Sequence, residues 1–499
     1  MNPTLSENNR RSYYKNFSLA IGFVFFPLIL LVGYSSNLDR PIYSMAAIAF
    51  LMAFFWITEA IPLAATSLFP IFLYPLFGIL PAEKVTGVYM NSTIFLFLGG
   101  FLIAIAIEKW NLHRRIAIKI ISYFGTQAHS LIFGFMLATA FLSMWISNTA
   151  TSIMMLSIAL ALCKNLHPIL DSKRYEDFSC SLMLSIAYSA SIGGMCTLVG
   201  TPPNLSFARI YQMTFPGNPE VSFGKWMLMV FPLGLFILGL TYIVLTRICF
   251  PIKKMGELAG NIIENEKKQL TPINFEQKVI LIVFILTAFM WMLRSGISFG
   301  PVTLPGWSSL LAFPSFIDDG TIAIIMAIIL FLFPSPSLKY KKNILDLEDF
   351  KKVPWETLLL FGGGFALAKG FMVSGLAEGL GGLFKGLNVD STFLIVLVVS
   401  FTMNFLTELT SNTATVEMFL PILASISIAL NIPPLILMVP ATLSASCAFM
   451  LPVATPPNAI IFGSGLVSIG KMSKTGFLLN LISVIVISLF SVSILKLGS

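Results

Sequence analysis

The chain has 499 residues, of which 56% are hydrophobic and 11% charged, with a mean hydropathy of +0.87. A soluble globular chain carries about a quarter charged residues, so this composition argues against a soluble fold and predicts a polytopic membrane protein with little soluble mass. The net charge of +8 would suggest nucleic acid in a soluble chain; here it is read as basic loops facing the cytoplasm, with no nucleic-acid partner.

The start, MNPTLSENNRRSYYKN, is polar and basic and lacks a cleavable-signal pattern, and the first apolar run is long enough to remain as a helix. Apolar segments fall near 17–36, 42–59, 61–80, 91–108, 130–163, 180–208, 223–246, 278–293, 320–334, 356–376, 391–430, 434–464 and 475–495. Most have the roughly 17–25 residues that cross a hydrocarbon core about 30 Å thick.

Two segments are anomalous. Residues 130–163 are apolar and uncharged but interrupted by Ser-Asn-Thr-Ala-Thr at 147–151. The arms on either side, 130–146 and 152–163, are only about 25 and 18 Å long at roughly 1.5 Å per residue. This pattern predicts a re-entrant hairpin over 129–163, entering from the cytoplasm. Residues 391–430 repeat the design around a second Ser-Asn-Thr-Ala-Thr at 411–415, which predicts a hairpin entering from outside. Loop charge supports this topology: with a cytoplasmic N-terminus and two hairpins, 23 of the 31 Lys and Arg fall in cytoplasmic loops. An ordinary span at 130–163 would turn the basic 247–278 and 339–352 loops outward. The expected fold is all-α, with about eleven transmembrane helices plus two re-entrant hairpins and an outside C-terminus.

The motifs recur in order. FLGGF (97–101) and FGGGF (361–365) lie 264 positions apart, as do the two SNTAT runs, and GTPPN (200–204) and ATPPN (454–458) lie 254 apart. The expected organisation is a cytoplasmic N-terminus and first span (1–41), a first repeat (42–250), a cytoplasmic linker (251–277) and a second, inverted repeat (278–499). That is the plan of an inverted-repeat transporter.

Proline lacks an N–H and clashes with the preceding turn. Pro202-Pro203 and Pro456-Pro457 are therefore expected to unwind two helices in mid-membrane, freeing carbonyls and starting new helices. Ser147, Asn148 and Thr149 are expected to cap the second arm of the first hairpin, and Ser411, Asn412 and Thr413 that of the second. Helix N-termini favour anions, while freed carbonyls and side-chain oxygens favour a hard cation such as sodium. Ser, Thr and Asn in membrane helices often only join helices, but four motifs in register favour a site.

The acids are read more plainly. Glu59 suits a cap or interface, Glu408 either orients the second tip or adds field for a cation, and Glu417 suits a structural hydrogen bond. Asp318-Asp319 reads as an N-cap. The five Cys form no CxxC pair and the three His lie near loops, so neither a disulfide framework nor a zinc site is expected. An intramembrane protease would need a Ser-His pair or paired aspartates within spans, and a channel would not need two capped half-sites.

Paired SNT motifs, each followed by a TPPN break, resemble the divalent anion/sodium symporter family of carboxylate and sulfate carriers that includes the INDY proteins. TEAIPL (58–63) and SCAFMLPVATPPNAII (446–461) extend the likeness over nearly the whole chain. The second resembles the family's signature, departing from it at Ile461. The resemblance implies an elevator-type homodimer in a bacterial inner membrane, with at least two co-transported Na+. It implies one sodium site of Ser143, Ser147, Asn148 and Gly200, and another of Thr407, Thr410, Asn412 and Ala454. It implies substrate contacts from Ser147, Asn148, Thr149, Thr201, Ser411, Asn412, Thr413, Thr455 and Pro456. The intact SNT pair favours import of succinate, malate or fumarate. Sodium-independent exchange, or carriage of citrate or sulfate, is the alternative.

Overall fold

A computed structural model describes residues 3–125, 127–252, 264, 267, 268, 270–299, 302–336, 343–384 and 391–494. Residues 253–263, 265, 266 and 269 of the expected linker 251–277, and residues 495–499, lie outside the described residues.

The fold is helical. The chain opens with α1 (Pro3–Ser35), α2 (Arg40–Thr58), α3 (Leu63–Thr66), α4 (Phe69–Phe77) and α5 (Ala82–Tyr89). It continues through α6 (Ser92–Lys109), α7 (Leu112–Phe124), α8 (Ala128–Ser143), α9 (Asn148–Leu166) and α10 (Ser172–Met195). After a break come α11 (Pro202–Thr214) and α12 (Phe223–Ile243), which ends in a π-helical turn, Val244–Cys249. The second half holds α13 (Phe275–Leu293), α14 (Asp319–Leu332), α15 (Leu347–Phe350), α16 (Trp355–Ser374) and α17 (Leu376–Phe384). It closes with α18 (Thr392–Thr407), α19 (Asn412–Ala429), α20 (Pro434–Ala445), α21 (Pro456–Phe462) and α22 (Ile469–Ile494). A small antiparallel hairpin, β1 (Ile297–Phe299) and β2 (Val302–Leu304), pairs Ser298 with Thr303.

Among the described residues, ten helices are long and apolar enough to cross a membrane. The set differs in detail from the apolar segments of the sequence. Two of the ten, α9 and α19, are second arms of the expected hairpins. Each starts at the Asn of its SNT, so α9 runs 19 residues and α19 runs 18, longer than the apolar stretch alone suggested. Conversely, the segments near 61–80 and 434–464 are divided into shorter helices, and that near 320–334 is one 14-residue helix, Asp319–Leu332, ending before Pro334.

Packing pairs the two halves in matching ways. α8 and α9 both lie on α10, and α18 and α19 both lie on α20. Each second arm then crosses to the other half: α9 packs on α21 and α19 on α11. Both TPPN helices thus meet the opposite SNT arm. Around them, α6 lies along α14, and α16 lies against α11 and α19. From Phe178 to Met195 α10 is buried, and its Ser and Ala side chains let neighbours approach closely.

Candidate transport site at two helix tips

The first tip is built by capping. Ser147 holds the N-cap of α9 with extended backbone, and its Oγ accepts from Ala150 N at 3.1 Å. This satisfies one of the four N–H groups that a helix start leaves free. Ser143, at the end of α8, donates its hydroxyl to Asn148 Oδ1 across the turn. The second tip repeats the bond: Thr407 Oγ1 donates to Asn412 Oδ1 at 2.5 Å and lies 3.1 Å from Ala445 O. Ser411 occupies the N-cap of α19 but makes no side-chain cap bond. Thr410 bonds Leu406 O at 2.9 Å and Thr415 Oγ1 at 2.7 Å instead.

Beside each tip is a broken helix. Between α10 and α11 the backbone is unwound, and Thr201 starts α11 in an extended conformation with Pro202 following. Between α20 and α21 the same happens at Thr455, whose Oγ1 accepts from Asn458 N at 3.3 Å. The Asn of each TPPN ties the unwound stretch together. Asn204 Nδ2 donates to Gly194 O at 3.3 Å and Thr197 O at 2.7 Å. Asn458 Nδ2 donates to Ala448 O at 3.1 Å and Leu451 O at 3.0 Å. In both cases the partners lie ten and seven residues upstream. Each break is thereby given a fixed shape, since buried carbonyls need donors.

The first tip and its break are in direct contact. A Cβ on Gly194 would meet Asn148 Oδ1 at 2.6 Å, and one on Gly200 would lie 3.0 Å from Ser143 O. Glycine is required where backbone comes this close. The side chains of Ser143 and Asn148 and the backbone of Gly200 thus cluster, offering several short oxygens to a cation.

Tip and break are also tied together, by different means in the two halves. In the first, Thr197 Oγ1 donates to Met144 O at 2.5 Å and accepts from Gly200 N at 3.0 Å. In the second, the Glu408 carboxylate accepts from Met450 N at 2.9 Å, Leu451 N at 3.0 Å and Asn480 Nδ2 at 2.7 Å. Glu408 matches Met144 under the 264-residue offset, and Leu451 matches Thr197 under the 254-residue offset. Of the two roles open to Glu408, orienting the second tip is the one its contacts display. Glu417 is fully buried and accepts from Ser206 of α11, a structural hydrogen bond. Its other oxygen packs on Gly364, where a Cβ would not fit.

Both tips and both breaks face one cavity of about 870 Å³. Ser147, Asn148 and Thr149 line it from the first tip, and Thr410, Ser411, Asn412 and Thr413 from the second. Gly200 and Thr201 line it from the first break, and Ala454, Thr455 and Pro456 from the second. Ser143 and Thr407 stand behind this wall, fully buried. Sequence reasoning missed further lining of the cavity: Phe97, Phe101 and Glu108 of α6, Glu59 at the end of α2, and Lys352. Asp318 is the expected cap, accepting from Thr321 N at 2.8 Å. Asp319 instead pairs with buried Arg294 at 2.5 Å.

No group of His, Cys, Asp and Glu suited to a transition metal occurs among the described residues. A helical membrane fold with capped tips and broken helices around one polar cavity defines a secondary transporter rather than an enzyme. The profile of the family described as the sodium:sulfate symporter transmembrane region matches residues 14–497, and the chain belongs to that family. It is 45% identical over 477 residues to the sodium-dependent dicarboxylate transporter SdcS of Staphylococcus saprophyticus, covering 94% of this chain and 89% of that one. It is 44% identical over the same length to SdcS of Staphylococcus aureus, with equal coverage. The fold is also similar to the crystal structure of the Alcanivorax borkumensis YdaH transporter, with a TM-score of 0.57 at 13% identity, over 92% of this chain and 99% of that one.

Proposed function

We propose that this chain is a sodium-coupled symporter that imports small dicarboxylates of the succinate, malate and fumarate class. The observation that carries the reading is the convergence of two SNT tips and two TPPN breaks on one cavity. A dianion would lie between the tips, one carboxylate toward Ser147, Asn148, Thr149 and Thr201, the other toward Ser411, Asn412, Thr413, Thr455 and Pro456. Helix starts and hydroxyls would hold it, since no tip carries a basic residue. One Na+ would sit among Ser143, Ser147, Asn148 and Gly200, and another among Thr407, Thr410, Asn412 and Ala454. These at least two cations would offset the dianion and lower the cost of carrying it through an apolar barrier. Relatives named as sodium-dependent dicarboxylate transporters support the ion and the substrate class.

The same reading takes the two halves as inverted repeats, with a cytoplasmic N-terminus and an outside C-terminus in the bacterial plasma membrane. The tips, with α10, α11, α20 and α21, would move as one body against α6, α14 and α16 in an elevator stroke, within a homodimer. The cavity reaches Glu108 and Lys352, so with the N-terminus inside it opens to the cytoplasm.

The test is uptake of radiolabelled succinate into proteoliposomes. An inward sodium gradient with an empty lumen is expected to drive uptake, and sodium-free vesicles loaded with succinate are not. The reverse pattern would make the protein an exchanger and return Ser143 and Thr407 to structural roles. Uptake in neither would overturn the dicarboxylate assignment and turn the search to sulfate and citrate.

A further inference from the structure

A second cavity of about 260 Å³ lies beyond the tips. Along α6, the main cavity is lined from Phe97 to Glu108 and the small one from Ser92 to Leu96. Along α11, the main cavity takes Pro202 and Pro203, and the small one takes Leu205 to Gln212. The small cavity therefore continues the same path between the same two helices, toward the opposite membrane face. Apolar side chains separate the two: Val199 faces the main cavity and its neighbour Leu198 the small one, with Leu96 and Leu205 also buried there.

The charges in this cavity are unequally committed. Asp318 caps α14 through Thr321 N at 2.8 Å. Asp319 and Glu220 hold Arg294 at 2.5 and 2.9 Å, and Asp319 also accepts from Phe223 N at 2.9 Å. Arg209, on α11, has no ion pair or hydrogen bond among the described residues. Its Nε is buried without a partner, and so is Oε1 of Gln212, one turn further on. A guanidinium partly stripped of water and left without a counter-ion is unfavourable unless an anion completes it.

We propose that this cavity is an anion-capture site on the membrane face opposite the main cavity's mouth, where Arg209 takes one carboxylate of an incoming dicarboxylate before the tips receive it. This rests on the transport reading above. A guanidinium matches a carboxylate through two parallel N–H bonds. Arg209 lies eight residues after Thr201 on one helix, about 12 Å along it, so the capture site and the tips lie on a common rod. The three engaged carboxylates nearby weaken the hold on an anion, which suits a station passed through during transport.

The test compares wild type, Arg209→Gln and Arg209→Lys in right-side-out and inside-out vesicles, with initial rates read against succinate under a fixed sodium gradient. In right-side-out vesicles, Arg209→Gln is expected to raise KM about tenfold with kcat and the sodium half-saturation unchanged, and Arg209→Lys, which keeps the charge but not the paired N–H bonds, to restore only part of the KM. In inside-out vesicles KM is expected to stay at the wild-type value. An unshifted KM in right-side-out vesicles overturns the site, and so does an equal fall of kcat and Tm in both variants, which marks a structural role. Wild type without uptake in either vesicle would overturn the transport reading itself, a result separable from an unshifted KM.

Discussion

Asn148 and Asn412 each receive a hydroxyl from the end of the preceding helix, Ser143 in one half and Thr407 in the other. Both amides also face the cavity. Each Asn therefore stands between the oxygens assigned to a cation and the space assigned to an anion. Replacing either with Ala removes a polar contact on both sides while leaving an Ala near the helix start, where it is well tolerated. A contact to a charged group is worth about 1.5–3 kcal/mol, so Asn148→Ala or Asn412→Ala is expected to lower sodium-driven uptake roughly ten- to a hundredfold. Detergent-solubilised variants should elute like wild type, with stability lowered by no more than the cost of one orphaned buried hydroxyl, about 1–3 kcal/mol. Undiminished uptake by both would remove these residues from the site.

The tie between each tip and its break is an element-level feature, and its two versions differ in chemistry. In the first half a hydroxyl donates to a carbonyl; in the second a carboxylate accepts from two backbone N–H groups. Both serve the same need, since an unwound stretch inside a membrane protein must have its backbone groups paired. A buried donor left without a partner costs about 1–3 kcal/mol. Thr197→Val and Glu408→Gln are each expected to destabilise the protein by about that much, read as a lower Tm in detergent. Sodium with substrate should restore part of the loss by binding the folded state. Unchanged Tm in both variants would show that the tips are held by packing alone.

Across the whole molecule, the rim near Lys352 is clamped by charge. Lys109, ending α6, reaches Asp349 at 2.5 Å and Asp346 at 3.4 Å, and Lys352 reaches Asp349 at 2.8 Å. Trp110 Nε1 adds a bond to Ile344 O at 3.0 Å, and Gln277 Nε2 to Trp110 O at 2.8 Å. This joins the end of α6 and the start of α13 to the 343–352 loop. Burial by itself would raise the Asp349 carboxyl, but its hydrogen bonds from Lys109 and Lys352 hold it below the ordinary value. A carboxyl lower in the folded than in the unfolded chain adds stability above its unfolded pKa of about 3.9. That stability is lost as pH falls through the folded value. Asp349→Asn leaves Lys109 short of a counter-ion in a mostly buried place and is expected to cost roughly 3 kcal/mol at neutral pH. The gap to wild type should narrow below about pH 4, measured by thermal unfolding across pH. A pH-independent gap would assign the loss to packing.

Composition, the ordered repeat of SNTAT and TPPN, and the proline breaks were enough to determine the helical membrane class and the residues at both tips. These are local effects: a proline pair cannot continue a helix, and a Ser-Asn-Thr run supplies a cap wherever it stands. The start of α9 at Asn148 rather than after the polar run follows from that cap, and length estimates from apolar residues alone missed it. Only the tertiary structure decided what faces the tips. Glu59, Glu108 and Lys352 come from separate parts of the chain, and the fold alone brings them to one cavity. The same holds for Arg209 and its engaged acidic neighbours, whose isolation depends on Arg294 reaching both Asp319 and Glu220. Which charges meet, and which are left over, is set by packing between segments far apart in the chain, and no local pattern encodes it.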